Sequence, residues 1–210
     1  MNQFLMYTNL AMFICNAVSF TYGAIRFFKK GKALYLKMIV GGLGCMMLSR
    51  AFQFIALLTN GSLPSGFHVG TLGVVGGFLF FLSANYGQMD KLLDDGAREN
   101  RKYRLISLIA PCVLAGIYAS LFFIPAAAER RLIYGVMVAI MMFASYFNLK
   151  HFIFPDVELG IIRRIRGYNL IALLLALNLK TPLLILYIAI CIVSLAIIPI
   201  LERGVRKWAI

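Results

Sequence analysis

Arg26-Phe27-Phe28-Lys29-Lys30-Gly31-Lys32-Ala33-Leu34-Tyr35-Leu36-Lys37 decides the fold, because five cationic side chains crowd one short turn between two long apolar segments. Apolar stretches of about 20 residues cross a bilayer core as helices. Lys and Arg collect in the cytoplasmic connections of such chains, so this turn is placed inside and its flanks are read as the first two spans. The alternation then continues. Lys91, Arg98, Arg101, Lys102 and Arg104 follow the third apolar segment, Lys150, Arg163, Arg164 and Arg166 follow the fifth, and Arg203, Arg206 and Lys207 close the chain. Arg50, Arg130, Arg131 and Lys180 are what remains for the outer side.

The spacing predicts an all-α bundle of seven transmembrane helices near residues 4–28, 34–58, 67–89, 105–125, 131–153, 167–180 and 183–201. The N-terminus lies outside and the C-terminus inside, and residues 1–210 form a single transmembrane domain. The sixth apolar stretch is short and, at about 14 residues, reaches roughly 21 Å as a helix. Asn178, Lys180, Thr181 and Pro182 break it from the seventh. Composition supports the class: 61% of residues are hydrophobic, 14% are charged and the mean hydropathy is +0.85, which excludes an ordinary soluble domain. The net charge of +13 is assigned to orientation and to anionic lipid headgroups, not to nucleic acid. The first apolar run is too long for the core of a cleavable signal peptide. Trp208, beside Arg206 and Lys207, is expected at the inner headgroup level. The localisation expected is the plasma (inner) membrane, multi-pass.

Connections are short, so consecutive helices are expected to be antiparallel neighbours. Ser19-x-x-Tyr22-Gly23 and Ser83-x-x-Tyr86-Gly87 each precede a charged turn, which suggests helical hairpins with a seventh helix added. Gly66, Gly70, Gly73, Gly76, Gly77, Ser83, Ala84 and Gly87 leave one face of the third span almost without side chains. In lipid such a face supports close backbone approach. The third span is therefore expected at the bundle centre against Gly41, Gly42, Gly44, Cys45 and Ser49 of the second, with a homodimer through the same stripe as the alternative.

Polar groups inside the spans carry whatever chemistry there is, since burying a charge in hydrocarbon costs several kcal/mol. Arg50 lies deep in the second span with Gln53 on its face. His68 and Thr71 enter at the start of the third, Glu129 and Arg131 open the fifth, and Lys180 closes the sixth. One carboxylate cannot balance four outer cations. Arg50, Gln53, His68, Glu129, Arg131 and Lys180 are accordingly the candidate ligand-binding set for a small anionic or amphiphilic molecule. The structural alternative has Arg50 snorkelling to headgroups or pairing with Glu129. Asn9, Asn16, Ser19 and Gly23 share a face of the first span that should point into the bundle, for interhelical bonds or a polar conduit. Pro111 is expected to kink the fourth span near Ser107.

Cys15, Cys45, Cys112 and Cys191 fall singly in four spans, which indicates neither a disulfide framework nor a zinc site. His68 and His151 sit at opposite membrane depths and cannot share a haem. No cofactor, metal or catalytic constellation is expected. Asp90, Asp94, Asp95, Gly96, Ala97 and Arg98 faintly resemble the DGxxAR core of lipid phosphotransferases, but the spacer residues and the paired aspartates downstream are missing. Topology alone resembles microbial rhodopsins, whose last helix carries a retinal-linked Lys that residues 183–201 lack. The general layout resembles membrane-sensor modules fused to kinases. The chain is expected to be a non-enzymatic receptor-like or accessory subunit that acts through a separate membrane or cytoplasmic protein partner. The alternatives are a small-solute transporter or channel, with an inner site near Asn148, Asn169 and Pro111, and an intramembrane lipid-modifying enzyme.

Overall fold

The computed structural model describes residues 2–64, 66–86, 97–123, 128–154 and 183–208. Among these the chain is helical without strands. Helix α1 is Asn2–Phe27, α2 is Leu34–Asn60 and α3 is Val69–Tyr86; a short 3-10 turn then leads into α4, Arg101–Ser107, and α5, Ile109–Ser120. Helix α6 is Ala128–Ile153 and α7 is Leu184–Trp208. Four helical stretches among the described residues are long and apolar enough to cross a membrane: Gln3–Phe27, Leu34–Asn60, Arg98–Ser120 and Leu184–Arg203. Val69–Ala84 and Tyr134–Phe147 are shorter apolar helices. The sixth predicted span, residues 167–180, lies outside the described residues.

Turn chemistry sets the hairpin between α2 and α3. Gly61 adopts φ 67°, the left-handed conformation that ends helices, and its N–H reaches Leu57 O at 3.1 Å. At the other end of this turn, where α3 begins, His68 and Thr71 cap reciprocally. The His68 backbone N–H donates to Thr71 Oγ1 at 3.0 Å, and the Thr71 N–H donates to His68 Nδ1 at 3.4 Å. That is the logic of a capping box, with His and Thr in place of the usual pair.

Of the predicted glycine stripe, Gly70, Gly73, Gly76 and Gly77 face α2, Gly66 lies in the turn before α3, and Gly87 lies outside the described residues. Helices α2 and α3 run antiparallel and share the most extensive contact among the described residues. A Cβ on Gly42 would lie 2.5 Å from Phe81, and one on Gly73 would lie 2.8 Å from Ser49 and 2.9 Å from the Cys45 carbonyl. Ser49 Oγ donates to Gly70 O at 2.5 Å across this interface. Gly70, Gly73 and Gly77 are thus met from within the chain by α2. Gly44 faces the other way, under Phe20 of α1.

One expectation needs correcting. Consecutive helices are not all neighbours: α3 makes its extended contacts with α2 and α6, and not with α4 and α5, which pack on α6 instead. The reason is that α3 commits its small-residue face to α2, while Val74 and Phe78 join Met137, Val138 and Met141 of α6 in one buried cluster. The kink expected at Pro111 is present as the break at Leu108 between α4 and α5. Pro111 has no N–H for the Ser107 carbonyl, and Leu108 N–H turns back to Leu105 O at 3.1 Å. Helix α7 runs seven residues past the predicted end at 201, carrying Glu202 alongside α1.

Helices α1 and α7 are parallel. Phe4 meets Tyr187, Ser19 meets Ser194, Gly23 meets Ile198 and Tyr22 meets Glu202, so residue numbers rise together along both.

Candidate functional site

Three helices bring polar groups together toward the end of the bundle that carries the α2–α3 turn. Arg50 lies ten residues before the end of α2 and Asn9 seven residues into α1. In antiparallel helices these positions have similar depth. The Arg50 Nη1 donates to Gln53 Oε1 at 2.8 Å and to Asn9 Oδ1 at 3.2 Å. Asn9 is oriented for this by its own amide nitrogen, which donates to Leu5 O at 2.8 Å. Tyr187 and Cys191 of α7 stand near the guanidinium, and Cys15 of α1 stands beside Cys191. His68 approaches the other side of Gln53, since a Cβ on Gly70 would meet Gln53 Cγ and His68 Cε1 at 3.0 Å each. The ring stacks on Phe52 at 5.5 Å.

Arg50 is held by neutral amide oxygens. The described carboxylates, Glu99 and Glu202, lie elsewhere: Glu99 in the turn before α4, Glu202 with Tyr22 and Arg26. Among the described residues Arg50 Nη2 and Nε make no hydrogen bond. Asn9 and Gln53 orient the cation without neutralising it, so a planar donor fork remains that matches a carboxylate or phosphate.

The expected ligand set is therefore brought together in part. Arg50, Gln53 and His68 form one cluster. His68 enters it with its Nδ1 already accepting from the cap of α3, which leaves Nε2 as the other ring nitrogen. Accepting at Nδ1 requires the neutral imidazole, with its proton on Nε2. Arg131 belongs to another neighbourhood. Its carbonyl accepts Tyr118 Oη at 3.0 Å and its guanidinium lies over Phe122 at 5.5 Å, binding the start of α6 to α5. The side chain of Glu129 and all of Lys180 lie outside the described residues. Asn9, Tyr187 and Cys191 are the members that sequence reasoning missed. Asn9 carried a signal, its place on a polar face of α1 at the depth of Arg50, whereas nothing in the order of residues foretells that α7 packs beside α1.

A second polar cluster closes the opposite end. Tyr22 Oη donates to Glu202 Oε2 at 2.5 Å, and Arg26 Nε lies 3.5 Å from Glu202 Oε1 and over the Tyr22 ring. The wholly apolar groove of about 380 Å³ between Leu108, Pro111, Met142, Phe143, Tyr146 and Phe147 offers no polar group to a solute. Pro111 lines it, while the Asn148 side chain and Asn169, its expected partners in an inner site, lie outside the described residues. Among the described residues no group of His, Cys, Asp and Glu is arranged to hold a metal.

Comparison with protein-family models, with curated proteins and with solved structures finds no match to this chain.

Proposed function

We propose that the chain is a seven-span plasma-membrane protein, N-terminus outside, that binds a small anionic or amphiphilic ligand at Arg50 and acts through a separate partner protein. The observation that carries the ligand reading is the Arg50 guanidinium, half-buried between α1, α2 and α7 on two neutral amides with no described carboxylate beside it. The ligand's anionic group would complete the guanidinium fork, with Gln53, Asn9 and His68 fixing its orientation. The seven-span reading is supported by parallel α1 and α7. Parallel packing requires an odd number of crossings between the end of α1 and the start of α7. Helices α2, α3, the α4–α5 rod and α6 account for four, and the predicted sixth span for the fifth. The basic α1–α2 turn then lies inside, and the Arg50 cluster in the outer half.

In this mechanism ligand contacts favour one packing of α1 and α7 on α2. Because α2 is locked to α3 along the glycine stripe, the shift is passed to the inner ends where a partner docks. The test is thermal stability of the purified chain in nanodiscs with laurate, and with lauryl alcohol as the uncharged control. A shift with laurate alone that disappears in Arg50→Gln supports the site. Equal shifts from both amphiphiles, or a laurate shift that persists in Arg50→Gln, would remove it.

A further inference from the structure

Between the Arg50 cluster and Glu202, the facing sides of α1 and α7 carry a succession of thiols and polar side chains. Cys15 meets Cys191, Asn16 follows one residue on, Ser19 Oγ donates to Ser194 O at 2.7 Å, and Tyr22 bonds Glu202. Two atoms in this succession are fully buried and have no partner among the described residues: Asn16 Oδ1 and Ser194 Oγ, in side chains 3% and 1% exposed. A buried polar atom left in that state costs about 1–3 kcal/mol. Ordered water making about three hydrogen bonds is the common remedy in protein interiors.

The donor and acceptor pattern suits water. Asn16 Nδ2 is used on Met12 O at 2.7 Å, so Asn16 Oδ1 can only accept, while Ser194 Oγ can donate and accept. Asn16 to Ser19 and Ser19 to Tyr22 each span three residues, roughly 4.5 Å along the helix axis, an interval that one water bridges. From Asn16 back to Asn9 is roughly 10.5 Å, lined by the two thiols and ending at the Arg50 guanidinium.

We propose that this seam is a hydrated path for protons, entered from the inner side at Glu202 and closed at its outer end by the charge of Arg50. A proton arriving on the Glu202 carboxylate passes to the water and hydroxyl chain, each oxygen donating forward as it accepts from behind, with no bond changed other than O–H. The fixed cation at the outer end repels the excess proton, as arginine does in water-selective pores. An anion seated on Arg50 would lift that barrier, which would couple ligand to proton. This last clause rests on the anion-site reading, and the path itself does not.

The experiment is proton flux into phosphatidylcholine liposomes holding the purified full-length chain and a trapped pH dye, driven by a potassium diffusion potential. Wild type should be close to protein-free vesicles. Arg50→Gln should raise flux at least about tenfold, the factor by which one charge about 10 Å away at an effective dielectric of about 20 disfavours a proton. Adding Asn16→Leu and Ser194→Val to Arg50→Gln should return flux to the wild-type level. Arg50→Gln vesicles as tight as wild type, or a leak that ignores the seam substitutions, overturns the proposal. Should Arg50→Gln fail to elute as a folded species, radiolytic hydroxyl labelling of wild type decides. Cys15 and Cys191, beside bound water, should be oxidised while Met46 and Met141 are not; unlabelled thiols overturn the path. Laurate stabilisation reports on the ligand site alone, so the two readings can fail separately.

Discussion

Gly73→Ala tests whether the α2–α3 interface organises the bundle. A Cβ at residue 73 would stand 2.8 Å from Ser49 Cβ, 2.9 Å from the Cys45 carbonyl oxygen and 3.1 Å from Ser49 Cα. Carbon contacts are comfortable at about 3.5–4.0 Å, so the helices must part by roughly 0.5–1 Å. The obstacle is backbone, so a rotamer change cannot relieve it. The separation would also stretch the 2.5 Å bond from Ser49 Oγ to Gly70 O. Overpacking of this kind costs about 1–3 kcal/mol, against which the better helix propensity of Ala returns up to about 1 kcal/mol. A net loss of about 1–2 kcal/mol should lower the melting temperature by about 2–8 °C in a chain of this size. Two controls isolate the cause. At Gly76 the nearest atom to an added Cβ is Cys45 Sγ at 3.5 Å, and at Gly116 nothing lies within 4 Å, so alanine there should be neutral or slightly stabilising. The assay is a melt in nanodiscs followed with a thiol-reactive dye, since Cys45 lines this interface. If Gly73→Ala melts at or above Gly76→Ala, the close-approach argument is refuted.

Asn9→Leu removes one of the two oxygens that hold Arg50 and should cost about 1–3 kcal/mol, with Arg50→Met in the same background recovering part of the loss; a denaturation series of the two single variants and the double variant measures the coupling. Protonating His68 Nδ1 would remove the acceptor of the Thr71 N–H, so the cap of α3 should weaken as pH falls through the ordinary imidazole range, about 6.5. Melting curves between pH 7.5 and 5 should show this decline, and His68→Asn, a residue that caps without titrating, should flatten it. Gly61→Ala forces a Cβ into the left-handed conformation at the end of α2 and should cost about 1–2 kcal/mol, while the same change at exposed Gly116 should not, as chemical denaturation of both will show.

The helical class, the four described stretches long and apolar enough to cross a membrane and the glycine interface were legible in the sequence because each rests on local periodicity or on residue size. The break near Pro111 was legible for the same reason: proline's missing N–H acts within one turn. The buried polar face of α1 also came through, with Asn9, Asn16, Ser19 and Gly23 all inside. What that face does could not be read. Asn16 bonds its own helix, Ser19 bonds α7 and Asn9 serves Arg50, three outcomes for residues that look alike in the chain. His68 was legible as polar and close to Arg50 in depth, but its capping bond with Thr71 depends on where α3 begins, and helix ends are the least determined part of a sequence reading.

Sequence alone determined that this chain is built of apolar helices with cationic turns, since hydrophobic length and charge placement act residue by residue. Tertiary structure decided which helices meet. That α6 stands between α3 and the α4–α5 rod, that α7 lies parallel beside α1, and that Arg50 rests on amides with Glu202 far away at the Tyr22 end are consequences of packing. Helix-to-helix contact in an apolar medium is chosen by shape and by a few buried hydrogen bonds, and neither shape nor partner is written at any single position.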